Sequence, residues 1–350
     1  MPTRCERVGE QQVLNETNLR AFLHSLGLIE PDEPVQVEKA GDGNINWVRR
    51  VRVGEGARSF VVKQARPALE RFPQYRASTE RIAFEALYYR TVHPVDHERV
   101  CPAVLAFSES ERVLVLEDLG SVPRMDALGP DAPELGPTVA RLARFLAGVH
   151  RHLRGHPVLD RFTNEEMKTL HGDHIFELPL RPNDFPLPEA VRRRADALRR
   201  DAELVAVADR AYRRFRASRE TLVHGDVQAG NVLVAERGAV LLDAEISHAG
   251  DPAFDVGVLA AHLLIPSLGR VDGRLRVQQL WEIYTAAHGV EGCPSFSDVA
   301  RYAGLEMLRR TLGAARLPAL EDEATALLAA DVAVRLIRQP ASRPAEVPTG

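Results

Sequence analysis

The sequence predicts an α+β protein in two lobes. An N-terminal antiparallel sheet lobe covers residues 1–118, and a mostly helical C-terminal lobe covers residues 119–350. Three observations predict it. Between residues 35 and 116 the apolar residues come in short runs with strand character, bounded by polar turns. From residue 138 onward they recur every three or four positions, the period of helices on a core. Between these regions, after Leu119-Gly120, the composition turns to Pro, Gly and Asp, as in a linker.

The elements follow in order. Leu19, Phe22, Leu23 and Leu26 share one face, which predicts a short helix over residues 16–27. Val35, Val37, Val48, Val51 and Val53 predict strands around the turn Gly41-Asp42-Gly43, and Phe60-Val61-Val62 leads into Lys63 as a third strand. Ile82, Phe84, Leu87 and Tyr88 anchor a helix over 78–91. Residues 104–107 and 113–116 read as two more strands. Residues 121–137 read as linker, and residues 138–154 as the clearest helix, with Val139, Leu142, Phe145, Leu146, Val149 and Leu153 on one side. Residues 157–188 read as loop, and residues 189–216 as helical and Arg-rich. Residues 231–234 and 239–242 read as a hairpin around Gly238, and residues 252–338 as mostly helical with a break near 287–295. The Pro-rich tail, 339–350, is expected to fray.

Bulk properties narrow the function. Net charge is −4, which gives no electrostatic reason for a nucleic-acid partner. Cys5, Cys101 and Cys293 are far apart and odd in number, so neither a disulfide framework nor a zinc site is expected. Residues 1–12 carry no apolar run, and the longest apolar stretch, residues 256–265, is far shorter than the ~20 residues of a membrane span. The expected location is the cytoplasm.

The chemistry concentrates in residues 224–231, His-Gly-Asp-Val-Gln-Ala-Gly-Asn. Asn231 follows Asp226 by five positions, the spacing of a kinase catalytic loop, and Asp243 follows one hairpin later. Phosphoryl transfer needs this set. One carboxylate orients or deprotonates the attacking hydroxyl, while a second carboxylate and an amide oxygen hold Mg²⁺ against the phosphates. Gly225 stands where protein kinases carry an Arg that reads activation-loop phosphorylation, so a constitutively assembled site is expected. The chain holds its own control: His171-Gly172-Asp173 repeats the triplet, but Leu178 lies five positions past Asp173, and this copy reads as decoration.

The N-terminal half supplies matching parts. Lys63 after an apolar triplet is placed to contact the α- and β-phosphates, with Glu85 as its expected partner and Glu80 as second choice. The turn Gly41-Asp42-Gly43-Asn44 is suited to backbone contacts with phosphate, although such turns often make plain hairpins. The backbone of Glu117 and Leu119, at the end of the last strand, is placed to bond the adenine edge. Glu245 adds a carboxylate beside Asp243. Asp251 before Pro252 reads as a structural helix cap, and Asp255 as a brace for the catalytic-loop backbone.

These residues carry a resemblance. Residues 224–231 with 243–255 resemble the aminoglycoside phosphotransferase and choline kinase superfamily, which has a bilobal protein-kinase-like fold. Residues 41–46, 61–65, 116–119, 174–176 and 307–313 are similar to the methylthioribose kinases within it. The resemblance implies an ATP-dependent kinase with Asp226 catalytic at the substrate hydroxyl. It further implies Asp243 and Glu245 at the metal-bound nucleotide, Arg309 or Arg310 at the sugar, and a homodimer. Guanidinium forks suit hydroxyls and a nascent phosphate, but an exposed helix face explains the arginine pair equally well. The expected partners are therefore ATP, Mg²⁺ and a sugar-like alcohol such as methylthioribose or a related pentose. An aminoglycoside or amino-alcohol acceptor is the main alternative, and a nucleotide-binding pseudokinase a further one. Residues 297–316 carry Arg301, Arg309, Arg310 and Arg316 against only Asp298 and Glu306, which favours a neutral or anionic acceptor over a cationic one.

Overall fold

A computed structural model of the chain describes residues 7–8, 11–40, 46–56, 58–67 and 77–350. The expected phosphate-binding turn, with Gly41, Gly43 and Asn44, lies outside the described residues. The chain divides into two compact units, residues 1–91 with 101–121, and residues 92–100 with 122–350.

In the first unit a short ribbon, β1 (Arg7–Val8) with β2 (Gln11–Gln12), precedes α1 (Leu19–Ser25). Then come β3 (Val35–Lys39), β4 (Trp47–Val53), β5 (Arg58–Gln64), α2 (Arg81–Val92), β6 (Val104–Ser108) and β7 (Val113–Glu117). The five longer strands form one antiparallel sheet in the order β3-β4-β5-β7-β6. Leu19, Phe22 and Leu23 of α1 join Val51, Val53, Phe60, Val62, Val113 and Val115 in one buried cluster. Each such side chain contributes roughly 1.5–3 kcal/mol when fully buried. Strand alternation then decides the rest. Phe60 and Val62 face this cluster, so Lys63 emerges on the opposite face of the sheet.

The second unit holds α3 (Leu135–His152), α4 (Glu165–Gly172), α5 (Glu189–Arg199) and α6 (Ala202–Ala217). After these come β8 (Thr221–Val223), β9 (Val232–Ala235), β10 (Gly238–Leu241) and β11 (His248–Gly250). The unit closes with α7 (Pro252–Leu264), α8 (Asp272–His288), α9 (Phe296–Leu312) and α10 (Glu323–Arg338). β9 and β10 make the expected hairpin, and β8 pairs antiparallel with β11. The apolar run at 256–265 fills most of α7, every residue of which is buried, and ends just past it at the buried Ile265. No helix among the described residues is long and apolar enough to cross a membrane. α9 lies close on α7 because Gly257 has no side chain: a Cβ there would stand 2.6 Å from Tyr302 Cβ and 2.8 Å from the Val299 carbonyl oxygen.

Two expectations are corrected. Residues 157–188 are not a loop. They hold α4 and a π turn at Asp173–Glu177, because Met167, His171, Ile175 and Phe176 find buried positions that mixed polarity had concealed. The second His-Gly-Asp triplet therefore sits in helical backbone. The tail is not frayed either: Ala341 and Val347 are buried, and Gly269 N donates to the Thr349 carbonyl at 2.7 Å.

Candidate active site

In the first unit Lys63 Nζ lies 2.6 Å from Glu85 Oε2, and Tyr89 donates its hydroxyl proton to Glu85 Oε1 at 3.1 Å. Lys63 and Glu85 are both buried, so the pair makes a firm mount for an ammonium. Glu80, the second choice, is instead exposed and paired with Arg112. Glu117 ends β7, its carboxylate accepting from Ala103 N at 2.8 Å, and Arg50 holds the next residue, Asp118, at 2.9 Å. Leu119, half-buried, follows on that braced stretch.

In the second unit the expected catalytic loop, residues 224–231, leaves β8 and is held from beneath. Asp255, in the first turn of α7, accepts from His224 N at 2.8 Å and Gly225 N at 2.9 Å. His150 Nε2 lies 3.2 Å from the same carboxylate, and its Nδ1 lies 2.9 Å from the Tyr284 hydroxyl. Burial alone would raise the pKa of Asp255. The hydrogen bond and charge of His150, with the loop amide bond, hold it below the ordinary carboxylate value. Asp251 caps α7 through Ala253 N at 3.0 Å and also receives Arg214 and Tyr302. Both acids at this helix start do what their positions in the sequence predict.

The loop places Asp226 and Asn231 together. Asn231 Nδ2 donates to the Asp226 carbonyl and to its Oδ2, both at 3.0 Å. With its nitrogen so engaged, the group that Asn231 could offer a cation is its side-chain oxygen. Leu242 N donates to the Asn231 carbonyl at 2.8 Å, tying the hairpin's end to the loop just before Asp243. Asp243 adopts φ +69°, a left-handed conformation that turns the chain sharply into the Ala244–Ile246 turn. One carboxylate oxygen each from Asp243 and Glu245 lie within 4.8 Å of each other. Two carboxylates and an amide oxygen are a hard-oxygen donor set that fits Mg²⁺.

α9 supplies the arginines, and neither is merely an exposed helix face. Arg309 Nη1 stands 4.0 Å from Asp226 Oδ1, and Arg310 Nη2 donates to Gln228 Oε1 at 2.7 Å. Both are anchored by Glu306, wholly buried, which also meets His262 Nε2 at 3.3 Å. Burial would raise the pKa of Glu306, but Arg309, Arg310 and His262 hold it well below the ordinary value. Burial lowers Arg310, whereas in Arg309 the charges of Glu306 and Asp226 outweigh burial and raise it. Sequence reasoning missed Gln228 and Glu306 as members of this group. The available signal for Glu306 was its spacing, three and four positions before the two arginines on one helix.

The description of a phosphotransferase enzyme family matches residues 37–290. The chain belongs to this family. Among its relatives, the chain is 29% identical over 352 residues to the methylthioribose kinase of Erwinia tasmaniensis, covering 85% of this chain and 86% of that one. With the methylthioribose kinase of Geobacillus sp. it shares 26% identity over 364 residues, covering 93% and 90%. The fold is that of solved family phosphotransferases. The chain superposes with a TM-score of 0.54 at 12% identity on a spectinomycin phosphotransferase in complex with ADP, covering 94% and 99% of the two chains. On the choline kinase of Streptococcus pneumoniae the TM-score is 0.53 at 14% identity, covering 92% and 98%. This phosphotransferase is therefore an enzyme that transfers phosphate to a hydroxyl group, on a protein-kinase-like fold.

Proposed function

We propose that the chain is an ATP-dependent sugar kinase whose acceptor is methylthioribose or a closely related pentose, acting in the cytoplasm. The observation that carries the acceptor class is the charge balance around Asp226. Two guanidiniums, Arg309 and Arg310, meet two carboxylates, Glu306 and Asp226. The other acid of α9, Asp298 in its first turn, is taken by Arg214 and Arg301. A cationic amine would need an unengaged carboxylate, and neither α9 acid offers one. A neutral polyol needs donors and acceptors in balance, which this group supplies. The kinship to methylthioribose kinases over most of the chain points the same way.

The residues divide the work as follows. Lys63, held by Glu85, contacts the nucleotide phosphates, with Gly41, Gly43 and Asn44 as backbone partners. The backbone of Glu117 and Leu119 meets the adenine. Asn231, Asp243 and Glu245 would hold Mg²⁺, which neutralises phosphate charge when bound. Asp226 accepts the hydrogen bond of the acceptor hydroxyl and sets it in line with the γ-phosphorus. Arg309 holds a neighbouring sugar oxygen. Catalysis is then mostly positioning and charge neutralisation.

A screen of ATP consumption over methylthioribose, ribose, aminoglycosides and amino alcohols tests the reading. Turnover should be fastest with methylthioribose or a near analogue. Turnover with cationic amines alone would sink the sugar assignment and favour the antibiotic or choline alternative.

A further inference from the structure

Asp226 has two oxygens in unlike surroundings. Oδ2 accepts from Asn231 Nδ2 at 3.0 Å and from Gln228 Nε2 at 2.8 Å. Oδ1 is buried and has no hydrogen-bond partner among the described residues; Arg309 Nη1 stands 4.0 Å away. A buried carboxylate oxygen without a donor is costly unless something else supplies one. The arrangement therefore reserves Oδ1 for a donor that arrives from outside.

The orientation of Gln228 is what enforces this. Its Oε1 accepts from Arg310 Nη2 at 2.7 Å, and Arg310 Nε donates to Glu306 Oε1 at 2.5 Å. Flipping the amide would set its NH₂ against a guanidinium and its oxygen against a carboxylate, like against like at both ends. Glu306 is fixed in turn by Arg309 and His262. A continuous chain of alternating donors and acceptors thus runs from the α9 core to the catalytic carboxylate.

We propose that Gln228, Arg310 and Glu306 form a positioning chain that commits Asp226 Oδ2 to the protein and Oδ1 to the acceptor hydroxyl. The inference rests on the proposed reading of Asp226 as the catalytic carboxylate. It divides the arginine pair: Arg309 lies on the acceptor side, and Arg310 acts through Gln228.

The test compares wild type with Gln228→Glu, Gln228→Met and Asp226→Asn. Steady-state rates are measured with ATP and methylthioribose, and also for ATP hydrolysis without acceptor, alongside thermal melting. Gln228→Glu keeps the shape and strengthens the contact to Arg310, but sets a second carboxylate oxygen against Oδ2. Gln228→Met keeps the length and removes the donor, so it covers the case in which the charged variant does not fold. Both should lower kcat roughly tenfold or more, the scale of one lost hydrogen bond to a charged group, with KM for ATP within about twofold of wild type. If Asp226→Asn is inactive while both Gln228 variants keep the wild-type kcat, the chain is structural support only and the proposal is overturned. If Asp226→Asn itself keeps the wild-type rate, the underlying reading of Asp226 fails instead.

Discussion

At the scale of single residues, Gly225 shows how a negative reading gains a positive cause. In the sequence it is notable for the Arg it replaces. In the fold it has φ +87°, and a Cβ there would stand 2.8 Å from the Ile246 carbonyl oxygen. Both neighbours of this position are engaged: His224 accepts from Asp226 N at 3.3 Å, and Asp255 grips the His224 and Gly225 amides. Gly225→Ala should therefore cost about 1–3 kcal/mol, the usual scale of backbone strain at such a site. The loop would relieve that strain by moving Asp226. The expected outcome is a lower melting temperature together with at least a roughly tenfold fall in kcat, with nucleotide affinity retained. Calorimetry and steady-state kinetics on one preparation would check it, and an unchanged kcat would show that the loop tolerates the shift.

At the scale of elements, legibility in the sequence followed how local the cause was. The Lys63 strand, the β9–β10 hairpin and the Asp251 cap depend on patterns a few residues long, and all lie where the pattern places them. Of the two acids expected beside Lys63, Glu85, the first choice, is buried against it, while Glu80 pairs with Arg112. What escaped were features that need a tertiary neighbour. α4 and its π turn are built around aromatic packing of Phe176 with Tyr212 and Phe215, residues some forty positions apart (ring centroids at 5.1 and 5.2 Å). Val347 in the tail is buried on folding, and composition alone could not announce it. Gln228 reads as filler between Asp226 and Asn231 until α9 is brought alongside. Residue 257 illustrates the same limit: its small size matters only because α9 crosses there.

At the scale of the whole molecule, buried histidines couple stability to pH. His171, His224, His248 and His262 all have pKa values pushed below 6.5 by burial, His248 down to about 3. Each is neutral in the fold and becomes charged in the unfolded chain below about pH 6.5. The unfolded state then binds more protons, so these groups contribute full stability above pH 6.5 and lose it as pH falls toward their folded values. The slope is about 1.4 kcal/mol per pH unit for each such histidine. Melting temperature should drop steadily between pH 7 and pH 5, before the carboxylates titrate; a flat profile over that range would contradict the assignment of neutral buried rings. The acidic limit is set further down, where Glu306 and Asp255, both held below their ordinary values, lose charges that anchor the arginine pair and the loop.

In the proposed function one loop, residues 224–231, makes this chain a kinase of a sugar hydroxyl through Asp226. Phosphorus-31 NMR of ATP and methylthioribose incubated with wild type and with Asp226→Asn tests it most directly. A sugar phosphomonoester resonance is expected with wild type, and a rate lowered by orders of magnitude in the variant while ATP still binds. Formation of the same product at the wild-type rate by Asp226→Asn would contradict it.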